Sequence, residues 1–242
     1  MKKEIIITDF SKMPEGVCVF GYDKEGNGIR PVIFNIGEEA KGLPEDYLRG
    51  IEPFMRVEFE FIKPQPSPPH TEDWLINKDY KPKITRTLSE NEGKEFLEKI
   101  LNISVKDIFG VGVNKTNNLG AYIEPGKGEK SIGTIKARNI EFVKHYFSEE
   151  KNRYQYRIKF LDNTKEIYDL SVTDCLFRKY CDNAREEGRS YGFIGAELQR
   201  RLSQAILYFR IGAGRPWGSL GYPEGKCWLF FTGVYSFPDY KK

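Results

Sequence analysis

MRVEFEFIKPQPSPPHTEDW, residues 55–74, changes character twice. Its first part alternates: Met55, Val57, Phe59 and Phe61 share one face of an extended chain, and Arg56, Glu58 and Glu60 share the other, which is the pattern of a half-buried strand. Pro64, Pro66, Pro68 and Pro69 then lack N–H donors and fix φ, so the connector is expected to follow an extended, solvated, polyproline-like path. From Pro64 to Pro69 such a path spans at most ~16 Å, about the width of a small barrel. His70, Thr71, Glu72, Asp73 and Trp74 follow with no spacer. Trp74 is expected to pack against the barrel that emits the connector or in the groove between the two barrels, with Thr71 and Asp73 satisfying donors of a tight turn. The competing arrangement presents Trp74 as a stacking platform for a ligand.

Further strands read outward from this one. Lys3–Thr8, Gly16–Tyr22 and Gly28–Phe34 precede it, with KEGNG at 24–28 as a hairpin turn. After it the period changes: Ser89 and Glu92 form a capping box ahead of Phe96, Leu97, Ile100 and Leu101. The second part repeats the plan. KSIGTIKA, RYQYRIKF and KEIYDLSV read as strands, a helix begins near Phe193, and AILYFRIG and KCWLFFTGVYSF read as two closing strands around the loop GRPWGSLGYPEG. Three strands, a helix and two strands is the order of an OB barrel. The expected fold is therefore mainly β with minor α: two OB-like barrels, each with a helix after its third strand, over residues 1–115 and 116–242.

The composition suits such a protein. Aromatic residues make up 14% and charged residues 30% of 242, and no apolar run reaches the ~20 residues that span a bilayer. The start, MKKEIIITDF, has too short an apolar run for a signal peptide, and Cys18, Cys175, Cys181 and Cys227 form no C-x-x-C pair. Reduced thiols in a cytoplasmic protein are the expectation. The net charge of +3 is unevenly spread: residues 1–75 hold 9 Lys+Arg against 14 Asp+Glu, a balance of −5, which leaves +8 for the remainder. A polyanion should prefer the second part.

Four segments carry a family resemblance: GVCVFGYDKEGNGIRPV (16–32), PPHTEDW (68–74), YDLSVTDCLFRKY (168–180) and CWLFFTGVYSFPDY (227–240). Together they resemble the dual OB-containing domain of prokaryotes over nearly the whole chain. The matching features are Ile29-Arg30-Pro31-Val32, Thr71-Glu72-Asp73-Trp74 and Ser171-Val172-Thr173-Asp174. The resemblance implies two OB barrels in one chain and a role in binding nucleic acid or nucleotides in prokaryotic conflict or defence systems, alongside other proteins of the same system. This chain departs from the pattern at Gly28, where a bulkier residue, often Trp, otherwise precedes I-R-P-V.

The candidate nucleic-acid or nucleotide contacts are Arg30, Trp74, Arg178, Lys179, Tyr180, Arg210, Arg215 and Trp217, on the reasoning that OB sites stack bases on rings and hold phosphates with cations. Arg30 precedes a proline, which a strand tolerates at an edge or a bulge. CLFRKY is expected to interleave rings and cations at a strand end, and RIGAGRPW to form the loop between the last two strands of the second barrel. His70, Thr71, Glu72, Asp73, Thr173 and Asp174 form polar clusters that could serve a site or a turn. Two histidines without zinc spacing point to no metal, no catalytic set stands out, and no cofactor is implied. A metal-dependent nuclease and a protein-interaction adaptor are the alternatives to a binding module.

Overall fold

The computed structural model describes residues 1–33, 40–137, 139–216 and 225–242. The chain opens with β1 (Lys2–Lys12), β2 (Val17–Tyr22), β3 (Gly28–Val32), β4 (Met55–Pro64) and β5 (Asp73–Ile76). They pair in the order β1-β2-β3-β5-β4, and β4 pairs back onto β1, which closes a five-stranded barrel. β3 and β5 run parallel, and the other pairs are antiparallel. The alternation of 55–62 is realised: Val57, Phe59 and Phe61 are buried among Ile5, Ile7, Val19 and Ile29. The helix after the third strand is here a single 3-10 turn, Glu45–Leu48.

The proline segment does not run extended. Ser67 and His70 exchange backbone hydrogen bonds, Gln65 N–H donates to Asp73 O at 2.8 Å, and Pro64 lies opposite Trp74. The segment is thus the turn of a β4–β5 hairpin, and the expectation of a spacer crossing the barrel is corrected. Proline lacks one donor but keeps its carbonyl, so the two limbs can still pair wherever a non-proline residue supplies the N–H. Pro31 sits in a strand for a similar reason. Arg30 N–H points to β5, donating to Glu72 O, so the missing donor of Pro31 falls on the β2 side, where pairing has already ended at Ile29.

β6 (Lys83–Thr87) adds to β4 outside the closed set and leads into α1 (Glu90–Lys99), whose capping box of Ser89 and Glu92 is present as expected. β7 (Leu101–Asn102), β8 (Asn114–Lys115) and β9 (Ala121–Ile123) then precede β10 (Ile132–Lys136), β11 (Asn139–Ser148), β12 (Arg153–Leu161) and β13 (Ile167–Val172). Two helices, α2 (Cys175–Glu186) and α3 (Tyr191–Ser203), come before β14 (Ile206–Ala213) and β15 (Cys227–Phe237). The second sheet runs β11-β12-β13-β15-β14-β10. β7 adds to β10 in parallel outside this set, β10 and β11 are consecutive in the chain, and β13–β15 is parallel like β3–β5, with Ser171 opposite Phe230. The topology is that of the first barrel, with β10 and β11 sharing the part of β1.

Both helices are sequestered by physics legible in their residues. Asp174 accepts from the N–H groups of Leu176 and Phe177 and so caps α2, while Phe177, Cys181 and Ala184 are buried at helical spacing. α3 lies along the edge of β11 that has no strand partner. Gly195 permits this, since a Cβ there would stand 2.7 Å from Val143 O, and Gln199 Nε2 donates to Glu141 O at 2.9 Å. The unpaired edge is thereby covered. CLFRKY is consequently the first turns of a helix, not a strand end as expected.

Candidate nucleic-acid interface

An OB barrel binds ligands on the outer face of its second and third strands, between the loops joining strands 1–2 and 4–5. In the first barrel the side chains alternating outward there are Asp9, Ser11, Cys18, Phe20, Tyr22 and Arg30, and the second barrel covers them. Arg210 reaches in from β14: its Nε donates to Asp9 Oδ2 at 2.9 Å, and its Nη1 donates to Tyr22 at 2.9 Å and to Thr134 at 2.7 Å. Asp9 also accepts from Thr8 and Thr232, both at 2.6 Å. Arg210 and Asp9 are fully buried. Arg30 donates from Nη1 to Asp73 Oδ1 at 3.0 Å and from Nη2 to Ser131 of the second barrel. Burial alone would lower the pKa of either guanidinium, yet Cys18, Asp73 and Glu72 hold Arg30, and Asp9 and Tyr22 hold Arg210, above the ordinary value. Two arginines expected at a ligand thus lie inside a junction.

The β4–β5 turn and residues 213–215 at the end of β14 meet in the same junction. Arg215, just after β14, donates to the second oxygen of Asp73. Glu72 accepts from Ser131 N–H at 2.8 Å and from its hydroxyl at 3.0 Å, and Thr71 donates to Glu129 O at 2.6 Å. His70 Nε2–H donates to Ala213 O at 3.1 Å. Burial, then Arg30 and Arg215, pushes its pKa down to about 2, so it stays neutral. HTEDW is therefore a cross-barrel clasp, and Thr71 and Asp73 serve partners in the second barrel rather than a local turn. Trp74 sits edge-on to Phe61 at 5.8 Å, half-buried at the rim of the first core, with Lys3 Nζ 3.9 Å from its ring centre. Gly28 is required here, because a Cβ would come within 2.7 Å of Phe20, whose ring already lies beside Arg30 and Arg210.

Among the described residues the corresponding face of the second barrel is uncovered, with Lys144 and Tyr146 exposed and Phe142, Arg157, Lys159 and Phe230 half-exposed. Register places Lys144, Arg157, Ser171 and Phe230 in one row across β11, β12, β13 and β15, and Phe142 and Lys159 in the next. Their strand neighbours Val143, Ile158, Leu170 and Phe231 point into the core. Lys144 Nζ lies 4.3 Å from the Phe142 ring, and Tyr146 is exposed at the end of β11. Tyr122 of β9 meets Trp228 at 5.3 Å between centroids, with Lys226 Nζ 4.6 Å from the Tyr122 ring. Rings and cations thus interleave over β9, β11, β12 and β15, with Asp169 paired to Arg157 and Glu141 to Lys159.

The family profile of the dual OB-containing domain matches residues 3–234. The chain belongs to the dual OB-containing domain family. A solved structure of a replication protein A heterotrimer bound to ssDNA aligns over 98% of this chain and 48% of that one, at 9% identity and a TM-score of 0.39, so the chain spans about half of its length. No curated protein matches the sequence.

Within this dual OB-containing domain the remaining candidates lie apart from the junction. Arg178 stacks over Tyr156 at 4.7 Å on α2, and Arg185 beside it stacks over Tyr154 at 3.7 Å while donating to Asp182 at 2.7 Å. Lys179 follows on the same helix, and Tyr180 turns instead to Tyr240, edge-on at 5.7 Å. Thr173 donates to Phe231 O at 3.0 Å and Asp174 accepts from Val234 N–H at 2.8 Å, so SVTD ties α2 to β15. Trp217 lies outside the described residues. Among the described residues no three His, Cys, Asp or Glu side chains gather as a metal site. Phe142, Lys144, Tyr146, Arg157, Lys159 and Phe230 were not among the expected contacts. Arg157 and Lys159 are marked by the alternation of RYQYRIKF against the buried Tyr156, Ile158 and Phe160, whereas the broken phase of β11 hides Phe142, Lys144 and Tyr146.

Proposed function

We propose that this protein binds single-stranded nucleic acid on the outer face of β11, β12, β13 and β15. The observation that carries the reading is the inequality of the two OB faces: one is buried in the junction, and the other is open and interleaves rings with cations. Stacking on rings is tolerant of sequence, and a cationic groove follows the backbone, so the ligand class is a strand with accessible bases. Arg178 and Lys179 at its margin are proposed contacts, while Arg30, Arg210 and Arg215 hold the barrels in place. The setting we propose is a cytoplasmic prokaryotic conflict or defence system, on the strength of the family. The expected units are 1–115 and 116–242; we propose instead that they divide near residue 100, because Leu101–Asn102 pairs with β10 and Val105, Ile108 and Phe109 pack in the second core.

Fluorescence anisotropy with a labelled dT oligomer at two salt concentrations tests the reading. With three or four cations engaged, log affinity should fall against log salt with a slope of roughly −2 to −3. Phe142→Ala should weaken binding by about 1–3 kcal/mol, and Lys144→Ala should reduce the slope by about one charge. Absence of binding at low salt would sink the proposal.

A further inference from the structure

Where Lys159 has one ion pair, to Glu141 at 2.6 Å, and Lys144 has none among the described residues, Arg157 at the centre of the open face is held by three hydrogen bonds. Its Nε donates to Asp169 Oδ1 at 2.8 Å, its Nη1 to Ser171 Oγ at 3.0 Å and its Nη2 to the Asp169 backbone O at 2.7 Å. Asp169 N–H donates to Leu119 O, so its carbonyl points to the same side, away from β12. Arg157 therefore reaches right across β13, and its planar group lies over that strand. Three of its five donors are spent on β13, and its charge is met by Asp169. A guanidinium so committed is poorly placed to fork a phosphate, but its upper face remains available for stacking, and the side chain is 25% exposed. Phe230 occupies the same row two strands away, and Phe142 flanks the row on β11.

We propose that Arg157 is a base-stacking platform held rigid by Asp169 and Ser171, and that this face takes bases rather than phosphates at its centre. Lys144, which makes no ion pair among the described residues, supplies the backbone contact beside it. The proposal rests on the nucleic-acid reading above and makes it more specific: the central subsite selects for the presence of a base, of either purine or pyrimidine type.

The test compares a labelled dT oligomer of about 15 nucleotides, near the upper site size of an OB fold, with an abasic strand of equal length. Arg157→Lys keeps the charge and loses the plane. It should weaken the dT strand roughly 5- to 100-fold, leave the abasic strand unchanged, and leave the salt slope unchanged. Ser171→Ala releases one anchor without touching the charge and should weaken the dT strand by a smaller factor, again sparing the abasic strand. Thermal unfolding reports whether each variant is folded, and Ser171→Ala carries the test if Arg157→Lys is not. Equal losses on both strands would make Arg157 a phosphate contact and overturn the proposal, as would no loss in either variant. A wild-type protein that binds neither strand would instead remove the nucleic-acid reading itself.

Discussion

His70 shows how a residue's role can depend on partners far away in sequence. HTEDW is conspicuous as a polar cluster, but His70 bonds a carbonyl 143 residues on, Glu72 a serine 59 residues on and Asp73 an arginine 142 residues on. Local reading supplies a turn because it has only neighbours to offer, and the clasp exists only once both barrels are folded. A pH dependence follows. The folded pKa of about 2 lies below the ordinary histidine value near 6.5, so between these the unfolded chain binds more protons. This stabilisation is complete above about pH 6.5 and is lost as pH falls, reaching roughly 2 kcal/mol at pH 5. Urea midpoints at pH 7 and pH 5 should separate by less in His70→Gln, which keeps an amide donor for Ala213, than in the wild type, the remaining separation belonging to His145 and Asp174, which burial also shifts into this range. Equal separations would show that His70 titrates normally in the fold.

Elements with uninterrupted alternation, such as β4 and β12, were legible, and those with a broken phase were not. In β11 the register slips between Ile140 and Phe142, so the inward residues run Ile140, Val143, His145, and the sequence shows neither a clean period of two nor a helical one. α2 was concealed differently: its stripe of Phe177, Cys181 and Ala184 is helical, but it begins in residues whose rings and cations resemble an exposed strand end. Asp174 as an N-cap is the signal that distinguishes the two. The dependence of the site on α3 is testable. The wall opposite Gly195 is backbone, which cannot turn aside as a flexible side chain can. Gly195→Leu should lower stability by roughly 1–3 kcal/mol in thermal or urea unfolding by forcing α3 away from β11. An unchanged midpoint would mean that α3 does not rest on that edge.

For the whole molecule, the division of charge into −5 and +8 has a double meaning that sequence alone leaves open. Part of the second part's excess is spent inward: Arg210 and Arg215 neutralise Asp9 and Asp73 of the first barrel. Arg189 and Arg201 pair with Glu197. What remains for a polyanion is smaller than the arginine count suggests: on the open face Arg157 and Lys159 are met by Asp169 and Glu141, and Lys144 makes no ion pair among the described residues. The junction also makes each barrel depend on the other, since parting them would leave Asp9, Asp73 and their partners without the hydrogen bonds that compensate burial. Unfolding in urea should therefore be a single transition for both barrels. Arg210→Met should cost about 3–5 kcal/mol, because it strands Asp9 in a dry interface, and the double variant Asp9→Leu/Arg210→Met should be more stable than either single one. Binding of the dT oligomer per folded molecule should be the same in the double variant as in the wild type, because the open face lies on other strands. A double variant that folds but loses binding would place the ligand at the junction, and would mean that the first barrel's buried face, not the second barrel's open one, is the site.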